Sequence, residues 1–506
     1  MAGPRRRRSR PPRQRTVELE RYRSVIPRWS DFVEAASRPE PTVFRVRTGR
    51  MAADAVQARL EDQGYRLRPL QGMPAFFQVD EGPRPVSFTL EHWAGLLYVQ
   101  QASTGVAAPA LAPAPGERVL DLCAAPGGKT THAADLMDDR GTLVAADVSE
   151  GRIRGLLGNV YRMGHPNIMV VSADGRDFPE DARFHRVLVD APCSGEGTLR
   201  RRGGQPPDQS RRFLDYVTRV QEALLRKAVR VTRPGGTILY VTCTFAPEEN
   251  EAVVSRVLED SPVELEPLVL PVPHARGLTG FGDLRFDPRM EGAARIYPHH
   301  LDSGGLFLAR LRRLEDGTPS DEGAWSPVPT VFPDDGTEPS AAGAMVARAL
   351  DSLQGHFDVD PATFGGLSWL SRGGRLWLHA LTEWPVAGWT PSEAWRVVST
   401  GFRAMEFDTR GRPRPTNDVL QWLGGRLRSR RVDLDDQQLL RVLGGDPLPW
   451  PEQMEGLQAL FHQGLVVGRG VPTLQGIRSE VSKSEARELE ALVQRRIPPT
   501  DPLPDD

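Results

Sequence analysis

The stretch "ERVLDLCAAPGGKTTHAADL", residues 117–136, couples a short apolar run to a Pro-Gly-Gly turn and then to residues with helical spacing. Its ending in Gly-Lys-Thr invites comparison with the nucleotide phosphate loop. That loop needs Gly, four residues and Gly-Lys-Ser/Thr, because its backbone N–H groups curl around phosphates. Counting back from Gly128 and Lys129, the first glycine is replaced by Cys123, so the turn serves another ligand. Working outward, four more runs of the same kind follow: "GTLVAAD" (141–147), "NIMVVSAD" (167–174), "HRVLVDAP" (185–192) and "GGTILYVT" (235–242). They alternate with helical segments such as "SEGRIRGLLGNVYRMG" (149–164) and "FLDYVTRVQEALLRKAVRVT" (213–232). Near-continuous apolar runs separated by helices are the signature of parallel strands buried on both faces. The fold class is therefore α/β, a Rossmann-like doubly wound domain.

The pattern spans residues 101–313 and closes at "GGLFLARLRR" (304–313). Before it, residues 17–100 read as a small α+β domain, with helical spacing in "MAADAVQARLEDQG" (51–64) and strands near "TVFRVRT" (42–48) and "AFFQV" (75–79). Residues 1–16 form an arginine-rich arm that should be disordered, since it repels itself and has little to bury. After the α/β domain comes a Pro-, Gly- and acid-rich linker, 314–342, and then a Trp-rich α+β module, 343–490. An acidic, proline-rich tail, 491–506, ends the chain.

Composition narrows the function. No stretch approaches the roughly 20 apolar residues that cross a bilayer, and the basic arm has no apolar segment behind it, so a cytoplasmic protein with no membrane partner is expected. The cysteines are Cys123, Cys193 and Cys243, with no CxxC spacing, which argues against disulfide or zinc scaffolds and for no metal. A formal net charge of −2 says little about nucleic acid, because only local charge matters to a groove.

In a doubly wound sheet, ligands sit outside the carboxyl ends of the strands. Asp121, Asp147, Asp174 and Asp190 stand there, and Cys243 just follows the fifth strand. The helix opening after "CAAPGGKT" offers free N–H groups and a positive dipole end to a carboxylate as readily as to a phosphate. Asp147 can accept from both ribose hydroxyls, and Asp174 can take a base amine. A nucleoside carrying a carboxylate, S-adenosylmethionine, satisfies all three. Cys193 and Cys243 follow the fourth and fifth strands, whose ends are close, so both thiols can face one cleft.

"CAAPGGKT" (123–130), "DAPCSGEG" (190–197) and "TCTFAPEENE" (242–251) together resemble the motifs of the Nop/Sun family of RNA cytosine-5 methyltransferases. The likeness covers residues 20–313 and includes "LLYVQQAS" (96–103) and "GEGTLRR" (195–201). "GFRAMEFDTRGRPRPTNDVLQWL" (401–423) faintly resembles the C-terminal region of the bacterial branch that modifies small-subunit ribosomal RNA. The resemblance implies a PUA-like C-terminal module. It places cofactor contacts on Cys123, Ala124, Ala125, Pro126, Gly127, Gly128 and Lys129, and on Asp147, Arg152, Asp174 and Asp190. It implies Cys243 as nucleophile and Cys193 as the thiol that helps release product. In "RVRTGR", Arg47 departs from the family, which usually carries Asn there.

Chemistry agrees with those roles. Carbon 5 of cytosine is too electron-poor to attack a methyl sulfonium, so a thiolate must first add to carbon 6. Asp190, if protonated or water-linked, can hydrogen-bond ring nitrogen 3, and a second group, for which Cys193 is the candidate, must act when the carbon-5 proton leaves. Arginines in "LRRRGGQPPDQSRR" (199–212) suit the phosphates flanking the target base. The expected protein is a monomeric RNA methyltransferase forming 5-methylcytosine in small-subunit ribosomal RNA or an assembling subunit. Transfer RNA as substrate, a DNA cytosine methyltransferase using the Pro-Cys thiol, a small-molecule methyltransferase and an idle RNA-binding scaffold are the rival readings. Deleting residues 1–16 should weaken RNA binding and make the salt slope of log K shallower, with little change in turnover at saturating RNA. Filter binding across a salt series checks this; an unchanged slope means the arm makes no phosphate contacts.

Overall fold

The structure, a computed structural model, describes residues 19–180, 183–201, 210–315, 317, 325–331, 337–385, 395–450 and 455–494. The arm 1–16 lies outside them, as do parts of the linker, of the arginine-rich loop and of the tail.

The five apolar runs form strands β5 (Arg118–Asp121), β6 (Thr142–Asp147), β7 (Ile168–Ala173), β8 (Phe184–Asp190) and β9 (Thr232–Thr242). They pair in parallel in the spatial order β9-β8-β5-β6-β7, so the chain winds one way from β5 to β7 and the other way from β8 to β9. The topological switch lies between β5 and β8. Strand β10 (Leu306–Arg313) adds antiparallel beside β9.

Burial on both sides explains the unbroken apolar runs. Leu120, Val144, Met169, Val187 and Ile238 face one apolar cluster, where α5 (Arg211–Val231) and α6 (Glu251–Asp260) supply Leu224, Leu225, Val253 and Val257. The alternate residues Val119, Leu143, Ile168, Leu188 and Leu239 face the other, under α3 (Gly128–Leu136) and α4 (Glu150–Met163). With side chains alternating every residue, each strand must be apolar at nearly every position.

The N-terminal segment folds as an antiparallel sheet of β1 (Thr42–Val46), β2 (Arg66–Pro69), β3 (Phe76–Glu81) and β4 (Leu97–Val99), with helices α1 (Trp29–Ser37) and α2 (Ala53–Glu61). It is fastened to α3 by charge. Arg45 and Arg47 are both buried; Arg45 pairs with Asp135, and Arg47 pairs with Asp139 at 2.5 Å. His165, also buried, lies 2.5 Å from the same Asp139. Arg47 is thus turned inward.

The C-terminal part contains helix Pro339–Phe357 and two sheets, one of Ser368–Arg372, Arg375–His379, Phe402–Phe407 and Pro413–Pro415, the other of Arg431–Leu434, Gln458–His462, Leu465–Thr473 and Gly476–Ser479. One strand of this span, β11 (Trp395–Thr400), pairs antiparallel with β7 and so extends the central sheet. An uncovered β7 edge would present unpaired amides, and β11 closes it. The second sheet shares an apolar cluster with the N-terminal sheet, Val432, Leu460 and Ile477 beside Val56, Leu60 and Tyr65. Of the tryptophans, Trp369, Trp377 and Trp384 are buried, Trp422 is half-buried and Trp450 exposed; Trp389 lies outside the described residues. Among the described residues no helix is long and apolar enough to cross a membrane.

Replacing Asp135 by Ala strands the Arg45 guanidinium in the interior, a change that costs about 3 to 5 kcal/mol. The urea midpoint should fall, and hydrogen exchange in β1 should speed up before exchange in β5. Unchanged protection of β1 would mean the ion pair does not fasten the N-terminal sheet.

Candidate active site: a glycine-capped helix and two apposed thiols

The carboxyl ends of β5 and β8 flank the switch point, and the site is built there. Gly127 caps α3 at φ 104°, a backbone region open to glycine, and a Cβ on it would come within 2.9 Å of the Leu156 side chain. A Cβ on Gly128 would stand 3.2 Å from the Tyr98 ring, so the two glycines keep the approach to the helix's free first-turn amides narrow and clear. The Asp121 carboxylate accepts from the Thr130 hydroxyl at 2.8 Å and the Cys123 N–H at 3.3 Å, and burial lifts its pKa to about 7. It fastens the turn to the strand.

Asp147 ends β6 and is buried. Its oxygens accept from the Ala125 N–H at 3.2 Å and the Ser149 N–H at 3.0 Å. Arg152, half-exposed, lies 3.3 Å from the same carboxylate and donates to the Ala125 carbonyl at 2.5 Å. The loop Cys123–Lys129, Asp147 and Arg152 are therefore brought together. Asp174 stands apart from them in its contacts: both oxygens are held by Arg176, at 2.9 Å from its N–H, 3.0 Å from Nε and 2.6 Å from Nη2, and these bonds hold its pKa below the usual carboxylate range. To take a base amine, Asp174 must release that exposed guanidinium.

Across the switch, Lys129 reaches from α3 to Asp190 at the end of β8, with Nζ 2.7 Å from Oδ2. Burial works against the ammonium, but Asp190 outweighs it and the Lys129 pKa is raised. Beyond this pair the two thiols meet: Cys193 Sγ lies 3.3 Å from Cys243 Sγ. The Cys193 S–H bond holds Cys243 below the ordinary thiol pKa, against burial and Asp190 and with help from Lys129. The same bond, together with burial, pushes Cys193 well above it. Cys123 is also pushed well up, chiefly by burial and then by Asp121. Of the three, Cys243 is the thiol prepared to ionise.

Several residues that support these thiols escape a motif-by-motif reading of sequence. Glu196 and Glu249 are buried between the cysteine loops, with Tyr22 and Gln221 bonded to them. The acids stand inside the quoted motifs, so their presence was visible; their direction across the loops was not.

A doubly wound sheet with a glycine-capped helix at its switch point and an acid ending the next strand defines a Rossmann-like methyltransferase core. Comparison with known proteins agrees. The family described as 16S rRNA methyltransferase RsmB/F matches residues 108–312. A ribosomal RNA small subunit methyltransferase F from Cronobacter sakazakii is 31% identical over 399 residues, covering 75% of this chain and 76% of its own. The chain belongs to the RsmB/F family, in keeping with its Nop/Sun motifs. A human 28S rRNA (cytosine(4447)-C(5))-methyltransferase is 31% identical over 359 residues, 68% of this chain and 44% of that protein. The chain thus spans less than half the length of that relative. A solved methyltransferase homolog from Pyrococcus horikoshii is 32% identical, with a TM-score of 0.53, covering 59% of this chain and 95% of that one.

The donor set fits a nucleoside with a carboxylate: free amides at the N-terminus of α3, a narrow glycine cradle, and an acid at the end of β6. Asp147→Ala should weaken binding of S-adenosylmethionine by about 1 to 3 kcal/mol, the cost of leaving ribose hydroxyls without their acceptor. Isothermal calorimetry measures it, and unchanged affinity would place the nucleoside elsewhere.

Proposed function

We propose that this protein is an S-adenosylmethionine-dependent RNA cytosine-5 methyltransferase acting on ribosomal RNA. The observation that carries this is the 3.3 Å contact between Cys193 and Cys243 beside the Lys129–Asp190 pair. A lone thiol would serve many reactions, but two thiols with opposite ionisation fit a cycle that begins with thiolate addition and ends with proton removal.

Cys243 as thiolate adds to carbon 6 of cytosine, forming a C–S bond while the 5,6 double-bond electrons move toward the ring nitrogen 3 side. Asp190, with Lys129 beside its carboxylate, hydrogen-bonds ring nitrogen 3 in its protonated form or through a water, and so stabilises that charge. When bound in the cradle of Cys123–Lys129, Asp147 and Arg152, S-adenosylmethionine supplies an electrophilic methyl group to carbon 5. A water ordered by the Cys193 thiol then takes the carbon-5 proton and passes it to solvent, the C–H electrons reform the 5,6 double bond, and the C–S electron pair returns to Cys243. Having given up hydrogen-bonding to a thiolate while Cys243 is bonded to carbon 6, Cys193 is free for this second task.

The smaller ribosomal subunit is the favoured substrate, because the relative whose alignment reaches three quarters of both chains is named for it. A large-subunit target is the second reading, supported by relatives named for 28S and 25S rRNA. Residues 17–100 and 343–490 are read as RNA-binding units on either side of the catalytic domain 101–313, the latter PUA-like, and the protein as a cytoplasmic monomer.

The two thiols can be separated by experiment. Cys243→Ala should abolish both methylation and any protein–RNA bond. Cys193→Ala should permit attack and methyl transfer but stall elimination, so a covalent adduct accumulates on denaturing gels with labelled RNA and cofactor. The reverse pattern would transfer the nucleophile's role to Cys193, and full methylation by both variants would refute the covalent mechanism. Bisulfite sequencing of rRNA from a deletion strain then identifies the cytosine and the subunit.

A further inference from the structure

The methyl-transfer chemistry leaves two buried glutamates without a task, and their bonds run in a pattern. Glu196 belongs to the Cys193 loop, yet its carboxylate accepts from the opposite loop, from the Thr244 hydroxyl at 3.1 Å and the Phe245 N–H at 3.0 Å. Glu249 follows Cys243 in the chain and reaches the other way, accepting from the Ser194 N–H at 2.9 Å. Each acid therefore grips the segment immediately after the other loop's cysteine. Outer partners steady both: the Tyr22 hydroxyl donates to Glu196 at 2.8 Å, and Gln221 Nε2 lies 2.9 Å from Glu249 and 2.9 Å from the Pro192 carbonyl. Between them the Ser194 and Thr244 hydroxyls meet at 2.8 Å, and the Gly197 N–H donates to the Cys243 carbonyl at 2.9 Å.

We propose that Glu196 and Glu249 form a reciprocal clasp of positioning residues that sets the contact between Cys193 and Cys243. The catalytic meaning of that contact rests on the function proposed above; the contact itself does not. The loop surfaces facing the acids present N–H and O–H groups. An ionised carboxylate only accepts, so it satisfies them, whereas an amide would turn an NH2 against one of them. Burying two carboxylates is costly, and burial raises the pKa of both. Apolar residues of the same volume would pack more cheaply but would leave the loop donors unpaired and the two sulfurs free to part.

The clasp has a signature that separates position from charge. The groups that face Cys243 electrostatically are Cys193, Asp190, Lys129 and Glu249; those that face Cys193 are Cys243 and Glu249. The charge of Glu249 disfavours a thiolate at Cys243, so removing it through the field alone would make Cys243 more acidic. Losing the clasp instead withdraws the Cys193 S–H from Cys243 and makes it less acidic. The two effects have opposite signs.

The test is the pH dependence of Cys243 alkylation by iodoacetamide in the full chain without RNA, read on the Cys243 peptide by mass spectrometry. Glu249→Ala and Glu196→Ala should each slow alkylation at pH 7 by up to about tenfold, a midpoint shift of about one pH unit toward that of Cys193→Ala. In a Cys193→Ala background neither glutamate substitution should raise the midpoint further. A downward or absent shift, or an equal upward shift without Cys193, overturns the proposal. If an alanine variant is unfolded by circular dichroism, Glu249→Gln and Glu196→Gln, which keep the shape, are read by the same criterion. Failure of wild-type protein to methylate RNA would instead overturn the proposed function and leave the alkylation result standing.

Discussion

The parallel pairing of β8 with β9 is the constraint on which the site depends. It sets Asp190 opposite Val241, so the chain leaves the sheet at nearly the same level on both strands. Cys193 comes three residues after the first position and Cys243 two residues after the second. Because side chains alternate along a strand, a slip of one residue would turn the apolar sets of β9, Ile238 and Tyr240 on one face and Leu239 and Val241 on the other, into each other's clusters. Packing against α5 and α6 below and α3 and α4 above therefore fixes the register, and register fixes how near the thiols can come. The spacing of the two thiols is a by-product of a hydrophobic decision made some distance away.

Polar groups then refine what register only approximates. Around the thiols the interior carries Glu196, Glu249, Glu251 and Arg295, all buried, and Glu251 pairs with Arg295 at 2.6 Å. Arg295 also donates to the Phe245 carbonyl at 3.0 Å, so even this ion pair ends on the loop after Cys243. Tyr240 adds a bond from inside β9 to the Glu249 carbonyl at 2.7 Å. Buried charge is a poor source of stability. Its concentration on two short loops is understandable where position to a few tenths of an ångström matters more than stability.

Much of the core was legible in the sequence because one physical rule governs it. Five runs apolar at nearly every position can only be strands covered on both faces, and the acids at their ends then fall on one edge; β5 to β9 follow that reading closely. The cleft's glycines and cysteines were legible for a related reason, since Gly127 and Cys243 each have few alternative uses at a strand's carboxyl end. What did not show were contacts whose partners are far apart in the chain. Nothing local in "PSEAWRVVST" (391–400) says that Trp395–Thr400 leaves its neighbours to pair with β7, because an edge strand carries no mark of which edge it joins. Arg45 and Arg47 sit in an alternating strand that looks half-exposed, yet Asp135 and Asp139 on the other side of the interface make both positions interior. Asp121, Asp147, Asp174 and Asp190 share the strand-end pattern, yet each is engaged differently, by Thr130, by the Ala125 and Ser149 amides, by Arg176 and by Lys129, and pattern alone does not say which partner an acid takes.

The added units close some borders of the sheet and also reach the loops that carry the thiols. The Arg47–Asp139 and His165–Asp139 contacts lie where α3 and α4 run out, toward the amino ends of β6 and β7, away from Asp147 and Asp190. The second C-terminal sheet packs on the N-terminal sheet, and Arg50, with its pKa lowered to about 9 by burial, donates to the Gln421 carbonyl across that junction. β11 seals the β7 edge. At the thiol end the N-terminal segment also reaches in, with Tyr22 on Glu196, Arg21 on Glu248 and the Phe32 ring edge-on to Phe245. The loop that follows Thr198 is tied back as well, Arg200 to Asp302 at 2.8 Å and Arg201 to Glu40 at 2.9 Å, so its first two arginines hold protein to protein.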